Sequence, residues 1–148
     1  MKVLFLDIDG VVNKHENFNP TAKRTMFPLD SYCAFLVGKI KLDTDCEVVL
    51  SSAWRLHKDS RQQVKDRVVA IYDTTPMLRT MYDGDKNVTR GEEIRRWLNT
   101  HPEVTRYAIL DDDSDFYDTQ PLFKTTFQDG LTDEIAQKVI EHLNAEEV

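Results

Sequence analysis

Cysteine is scarce in this chain of 148 residues: there are two, Cys33 and Cys46. They lack CxxC spacing and a nearby histidine pattern, which argues against a zinc site or a redox pair. Two buried free thiols in a reducing compartment are expected. Long hydrophobic runs are missing too. The opening apolar segment is interrupted by Asp7 and Asp9, so it is too short for a signal-peptide core or a membrane span, and a cytoplasmic location is expected. Positive charge is in deficit. A net charge of −7 argues against a broad basic surface for non-specific nucleic-acid binding, though not against a nucleic-acid end as substrate. Glycine and proline number five each, and neither a low-complexity tract nor an internal repeat is visible.

What is present is globular. Hydrophobic residues make up 41% and charged residues 30%, and the length suits one domain spanning residues 1–148. Residues 2 to 6 read as a fully buried strand, because a short apolar run followed by Gly10 carries no alternation. Residues 12 to 28 have no period and read as a loop over the end of that strand. A helix is predicted from Leu29-Asp30 to about Leu42, with Leu29, Cys33, Phe35, Leu36, Val37 and Ile40 as its apolar stripe and Asp30 as its cap. A second strand, Cys46 to Leu50, ends at Ser51-Ser52. A polar helix over 59 to 68 and a short strand at Val69 to Tyr72 follow. Thr89 caps a helix over Arg90 to Leu98. Arg106 to Leu110 is a strand running into Asp111-Asp112-Asp113-Ser114-Asp115, and a strand at Phe123 to Thr125 and a helix from Thr132 to about Leu143 complete an α/β alternation.

The chemistry gathers where strands end. Asp7 and Asp9 sit one residue apart, so on an extended strand both carboxylates point the same way. Two acids so close repel in a dry interior unless a cation or a reaction uses them. In an open parallel sheet, ligands bind outside the carboxyl ends of the strands, which brings Asp7, Asp9, Ser51, Asp111 and Asp112 into one crevice. Mg²⁺ takes one or two carboxylates, keeps waters and accepts phosphate oxygens for the rest. The set therefore proposes a magnesium site beside a phosphate.

Asp7-Ile8-Asp9-Gly10-Val11, Ser51 after Val48-Val49-Leu50, a downstream basic residue and Ile109-Leu110-Asp111-Asp112 resemble the four motifs of the haloacid dehalogenase (HAD) superfamily, in the correct order across nearly the whole chain. More narrowly, Val49 to Arg55, Arg90 to Ile94 with Trp97-Leu98, and Gly130-Leu131-Thr132 look like the small HAD domain of Swiss Army Knife RNA-repair proteins and phage relatives. The resemblance implies a Rossmann-like core, a mostly parallel sheet flanked by helices. The motif spacing leaves no room for a large cap domain. The implied activity is a Mg²⁺-dependent phosphatase working through a phospho-aspartate. Asp7 would attack phosphorus and Asp9 would act as proton donor and then base, its main-chain carbonyl also holding the metal. Ser51 would donate to a phosphoryl oxygen, Asp112 would bind the metal directly, and Asp111 would support it. The third-motif cation, usually lysine, would be Arg90 or Lys86, with Arg90 favoured because it opens the helix that usually carries the motif.

Beside these motifs Gly10, Ser52 and Arg55 are candidate substrate contacts. Lys14, His15, Lys23 and Arg24 after the first motif, and His57, Lys58 and Arg61 after the second, read as solvated charge or as a basic rim steering a phosphorylated substrate. Asp113 and Asp115 read as a solvated loop. The expected partner is a nucleotide, a nucleic-acid end or a phosphoprotein, and no membrane. Two rival readings are a receiver-like phosphate-binding signalling domain and a catalytically inactive HAD-fold interaction domain.

Overall fold

The computed structural model describes residues 1–18, 27–78 and 88–146. Its sheet has five strands, β1 (Lys2–Leu6), β2 (Glu47–Leu50), β3 (Asp73–Thr74), β4 (Arg106–Asp111) and β5 (Leu122–Lys124), in the order β3-β2-β1-β4-β5 and all parallel. The helices are α1 (Ser31–Thr44), α2 (Lys58–Arg67), α3 (Arg90–Asn99) and α4 (Asp133–Asn144). Short 3-10 turns occupy His15–Phe18 and Ala53–Leu56. This is an α/β, Rossmann-like core of the kind the resemblance implies, with the sheet parallel throughout.

Strand alternation sorts the core into two layers. Leu4, Leu6, Val48, Leu50, Ala108 and Leu110 face one side with residues of α1, α2 and α4, while Val3, Phe5, Val49 and Ile109 face the other with Ile94 and Trp97 of α3. Phe5 meets Trp97 edge-on at a centroid distance of 5.4 Å. The chain winds from β1 outward to β3, then returns to lay β4 and β5 on the other side of β1. That reversal beside β1 opens a crevice at the carboxyl edge of the sheet.

Four expectations need correction. Phe35 is not in the α1 stripe but 63% exposed, because Cys33, Leu36, Val37, Ile40 and Thr44 hold the inner face and Phe35 falls opposite them. The strand expected at 69 to 72 is Asp73–Thr74 instead. The N–H of Val69 is still bonded to the Val64 carbonyl at the end of α2, so pairing with β2 begins only at the Tyr72 N–H to Val48 carbonyl bond. The loop after the first strand contains the His15–Phe18 turn, and its residues 19–26, with Lys23 and Arg24, lie outside the described residues. Asp115 is part of the α3 start, as described below. Cys33 and Cys46 are free and buried, and among the described residues no helix is long and apolar enough to cross a membrane.

Candidate active site

Parallel pairing carries the chain ends to one edge. The N–H of Asp7 donates to the Leu110 carbonyl and that of Ser51 to the Leu6 carbonyl, so the residues following β1 and β2 stay in register with β4. One carboxylate oxygen from each of Asp7, Asp111 and Asp112 falls within 4.8 Å of the others. Asp7 is 4% exposed. Arg90, on the first turn of α3, reaches the same point: its Nη1 lies 2.9 Å from Asp7 Oδ1, 3.1 Å from Asp111 Oδ2 and 2.9 Å from the Ser51 carbonyl oxygen.

Two of the three acids, Asp7 and Asp111, thus share one guanidinium. Burial raises the Asp7 pKa, Arg90 opposes the rise, and Asp112 adds to it. Burial and then the Asp7 charge push Asp111 up to about 8. Against the cost of its own burial, Asp7 and Asp111 hold Arg90 firmly charged. The negative charge left over suits a divalent cation, and carboxylate oxygens are what Mg²⁺ takes. Beside the acids, the buried Ser51 hydroxyl has no hydrogen-bond partner among the described residues. A buried polar atom without a partner costs stability unless something outside the chain satisfies it, and a phosphoryl oxygen would. The acids and the hydroxyl together fit a metal beside a phosphate.

Asp9 stands apart. Strand geometry ends at Leu6, so alternation does not carry Asp9 onto the Asp7 face. Its Oδ1 accepts from Asn13 Nδ2 at 2.8 Å and Trp54 Nε1 at 3.1 Å, on the exposed side of the turn. Gly10 adopts φ +82°, and a Cβ there would lie 2.2 Å from Asp112 Oδ2. Its N–H donates to Asn13 Oδ1 and its carbonyl accepts from Thr125 Oγ1. Ser52 caps the 53–56 turn by accepting the Trp54 N–H. Arg55 is 6% exposed, its Nη2 within 3.2 Å of both carboxylate oxygens of Glu93, itself 1% exposed. All three candidate substrate contacts therefore engage in holding the site's frame. Lys86 lies outside the described residues.

The carboxylate of Asp115 accepts the Arg90 N–H at 3.2 Å and its carbonyl accepts the Gly91 N–H, so it helps start α3 rather than merely facing solvent. Residues that sequence reasoning missed are Asn13, Glu93 and Thr125. Asn13 left the faintest signal, a polar residue straight after Val11-Val12, and it is indistinguishable there from an ordinary turn asparagine.

A family model described as the HAD domain in Swiss Army Knife RNA repair proteins matches residues 3–136. Neither the curated proteins searched nor the solved structures gave a match.

Proposed function

The chain belongs to the family of HAD domains found in Swiss Army Knife RNA repair proteins, which makes it a HAD-superfamily hydrolase in general terms, and we propose more narrowly that it is a Mg²⁺-dependent phosphomonoester hydrolase. One observation carries this reading: carboxylate oxygens of Asp7, Asp111 and Asp112 converge within 4.8 Å of one another, with Arg90 on Asp7 and Asp111, beside the unpartnered Ser51 hydroxyl. Asp7, Asp112 and the Asp9 main-chain carbonyl would hold Mg²⁺, supported by Asp111; when bound, the ion neutralises phosphate charge and aligns the phosphoryl group.

The chain's own residues carry the proton and bond changes. An Asp7 carboxylate oxygen forms a bond to phosphorus as the bond to the leaving oxygen breaks, and Asp9 delivers its proton to that oxygen. Asp9, now a carboxylate, takes a proton from the water that attacks phosphorus, and the Asp7–phosphate bond breaks to release inorganic phosphate. Arg90 holds Asp7 in position and stabilises charge on the transferring group, and Ser51 donates to a phosphoryl oxygen. Trp54 and Asn13 orient Asp9 by donating to one of its oxygens, leaving the other for the leaving group. The chain acts as one domain over residues 1–148, and its free buried thiols suit a reducing cytoplasm.

The test is phosphate release with and without Mg²⁺ across mononucleotides, 3′- and 5′-phosphorylated oligonucleotides, phosphosugars and phosphopeptides. Turnover on some member, abolished by Asp7→Asn and by chelation, is expected. No turnover on any member sinks the reading, and stoichiometric labelling of Asp7 without release would favour a phosphate-binding signalling role.

A further inference from the structure

We propose that the cleft between α2 and β3 is a second anion site, in which Arg55, Arg61 and Lys65 hold a tetrahedral oxyanion of the phosphate type. The cleft measures about 240 Å³ and lies against the outermost strand, lined by these three cations and by Tyr72, Asp73 and Thr74. A water's share of liquid volume is about 30 Å³, so the space takes a tetrahedral anion with several waters. The site is separate from Asp7 and Asp9 and does not depend on their catalytic roles.

Arg55 is the buried member, 6% exposed. Its Nη2 makes both bonds to Glu93, and its buried Nε has no hydrogen-bond partner among the described residues. A buried donor left unpaired costs stability, and an anion in the cleft supplies the acceptor. Arg61 spends Nη1 on the Arg55 carbonyl at 2.6 Å, which ties its guanidinium to the same wall. Lys65 follows one turn along α2 and is exposed. Neither Arg61 nor Lys65 has an acidic partner among the described residues. The acid on the lining, Asp73, is engaged elsewhere, its Oδ2 accepting the Trp97 indole N–H at 2.8 Å. Because Glu93 balances the Arg55 charge, Arg61 and Lys65 supply the attraction and Arg55 adds a directed N–H. A carboxylate has two oxygens for three donor groups, whereas a tetrahedral oxyanion can face all of them at once. In a chain at −7 this is positive charge gathered at one pocket. Inorganic phosphate and a second phosphoryl group carried by a substrate share the chemistry it recognises.

The probe is inorganic phosphate, titrated into the full chain with a chelator at constant ionic strength and followed by proton–nitrogen correlation NMR. The Arg55 Nε–H resonance should move saturably together with the Tyr72 and Thr74 amides, and chloride at equal ionic strength should not move them. Lys65→Glu, a change at an exposed position, should weaken this binding by about tenfold or more at an unchanged melting temperature. Ser51→Ala, in the Asp7 site, should leave it in place. No saturable movement, an affinity unchanged by Lys65→Glu, or loss of the movement in Ser51→Ala overturns the proposal. Comparing kcat/KM on a sugar bisphosphate and its monophosphate tells the two sources apart. A preference for the bisphosphate that Lys65→Glu removes assigns the anion to the substrate, and equal turnover assigns it to free phosphate. Phosphate binding in this cleft with no turnover of any phosphomonoester would overturn the hydrolase reading and leave the anion site standing.

Discussion

At the scale of single residues, Gly10 is the position where backbone and chemistry meet. Its φ of +82° already disfavours a side chain, and the missing Cβ is the space that the Asp112 carboxylate fills at 2.2 Å. Gly10→Ala should therefore cost about 1–3 kcal/mol of stability from the conformation alone. It should also displace Asp112, so the Mg²⁺-induced rise in melting temperature should shrink or vanish; an unchanged rise would mean Asp112 is not a ligand. Asn13→Ala tests the neighbouring link. It strips the acceptor from the Gly10 N–H and a donor from Asp9, and should cost about 1–3 kcal/mol in a denaturant titration because the Gly10 donor is buried. Asp7, Asp111, Asp112 and Ser51 were legible in sequence because polar residues ending apolar runs stand out, whereas the direction of Asp9 was not, because strand alternation stops at Leu6. Gly10, Ser52 and Arg55 were singled out, but their bonding partners were not, because those depend on side chains brought close only by the fold, such as Glu93 for Arg55.

Among the elements, α3 does the most for the site. Thr89 accepts the Glu92 N–H, Asp115 meets the Arg90 N–H, and Gly91 lets the helix lie against the chain at Phe116, where a Cβ would approach the Phe116 Cα to 2.9 Å. From that fixed start the first turn sends Arg90 into the acids and Glu93 to Arg55. Glu93 also accepts the Leu78 N–H, so one buried carboxylate ties α3 to the segments after β2 and β3. Burial works against the Arg55 charge, with the Glu93 charge compensating. Glu93→Gln should accordingly cost about 3–5 kcal/mol, measured by denaturant midpoint, since it leaves a buried cation unpaired. A second change, Arg55→Met in the Glu93→Gln background, should recover part of that loss, since the glutamine oxygen can still accept the Leu78 N–H; no recovery would show that the unpaired cation does not carry the cost. The helices were legible because caps are local: Asp30, Thr89 and Thr132 each accept a backbone N–H as capping residues. β3 was not legible, because two residues make a strand only through the neighbour they pair with.

For the whole molecule, the topology concentrates negative charge at the carboxyl edge of a central strand, in a chain already at −7. Without metal, the fold bears that repulsion, and protons relieve it. Asp111 moves from 3.8 in the unfolded chain to about 8 in the folded one, so between those values the folded state binds more protons than the unfolded. The slope of unfolding free energy with pH is then negative: the contribution is full below the unfolded value and is lost as pH rises through the folded one. Melting temperature of metal-free protein should fall between about pH 5 and about pH 8. Divalent metal competes with those protons for the same carboxylates, so its stabilising effect should grow over the same interval. Thermal scans with a chelator and with saturating Mg²⁺ at each pH measure both trends. A metal-free melting temperature that does not fall across this interval, or a Mg²⁺ effect that is the same at both ends, would mean the three acids carry no shared proton and their convergence is not what recruits the ion.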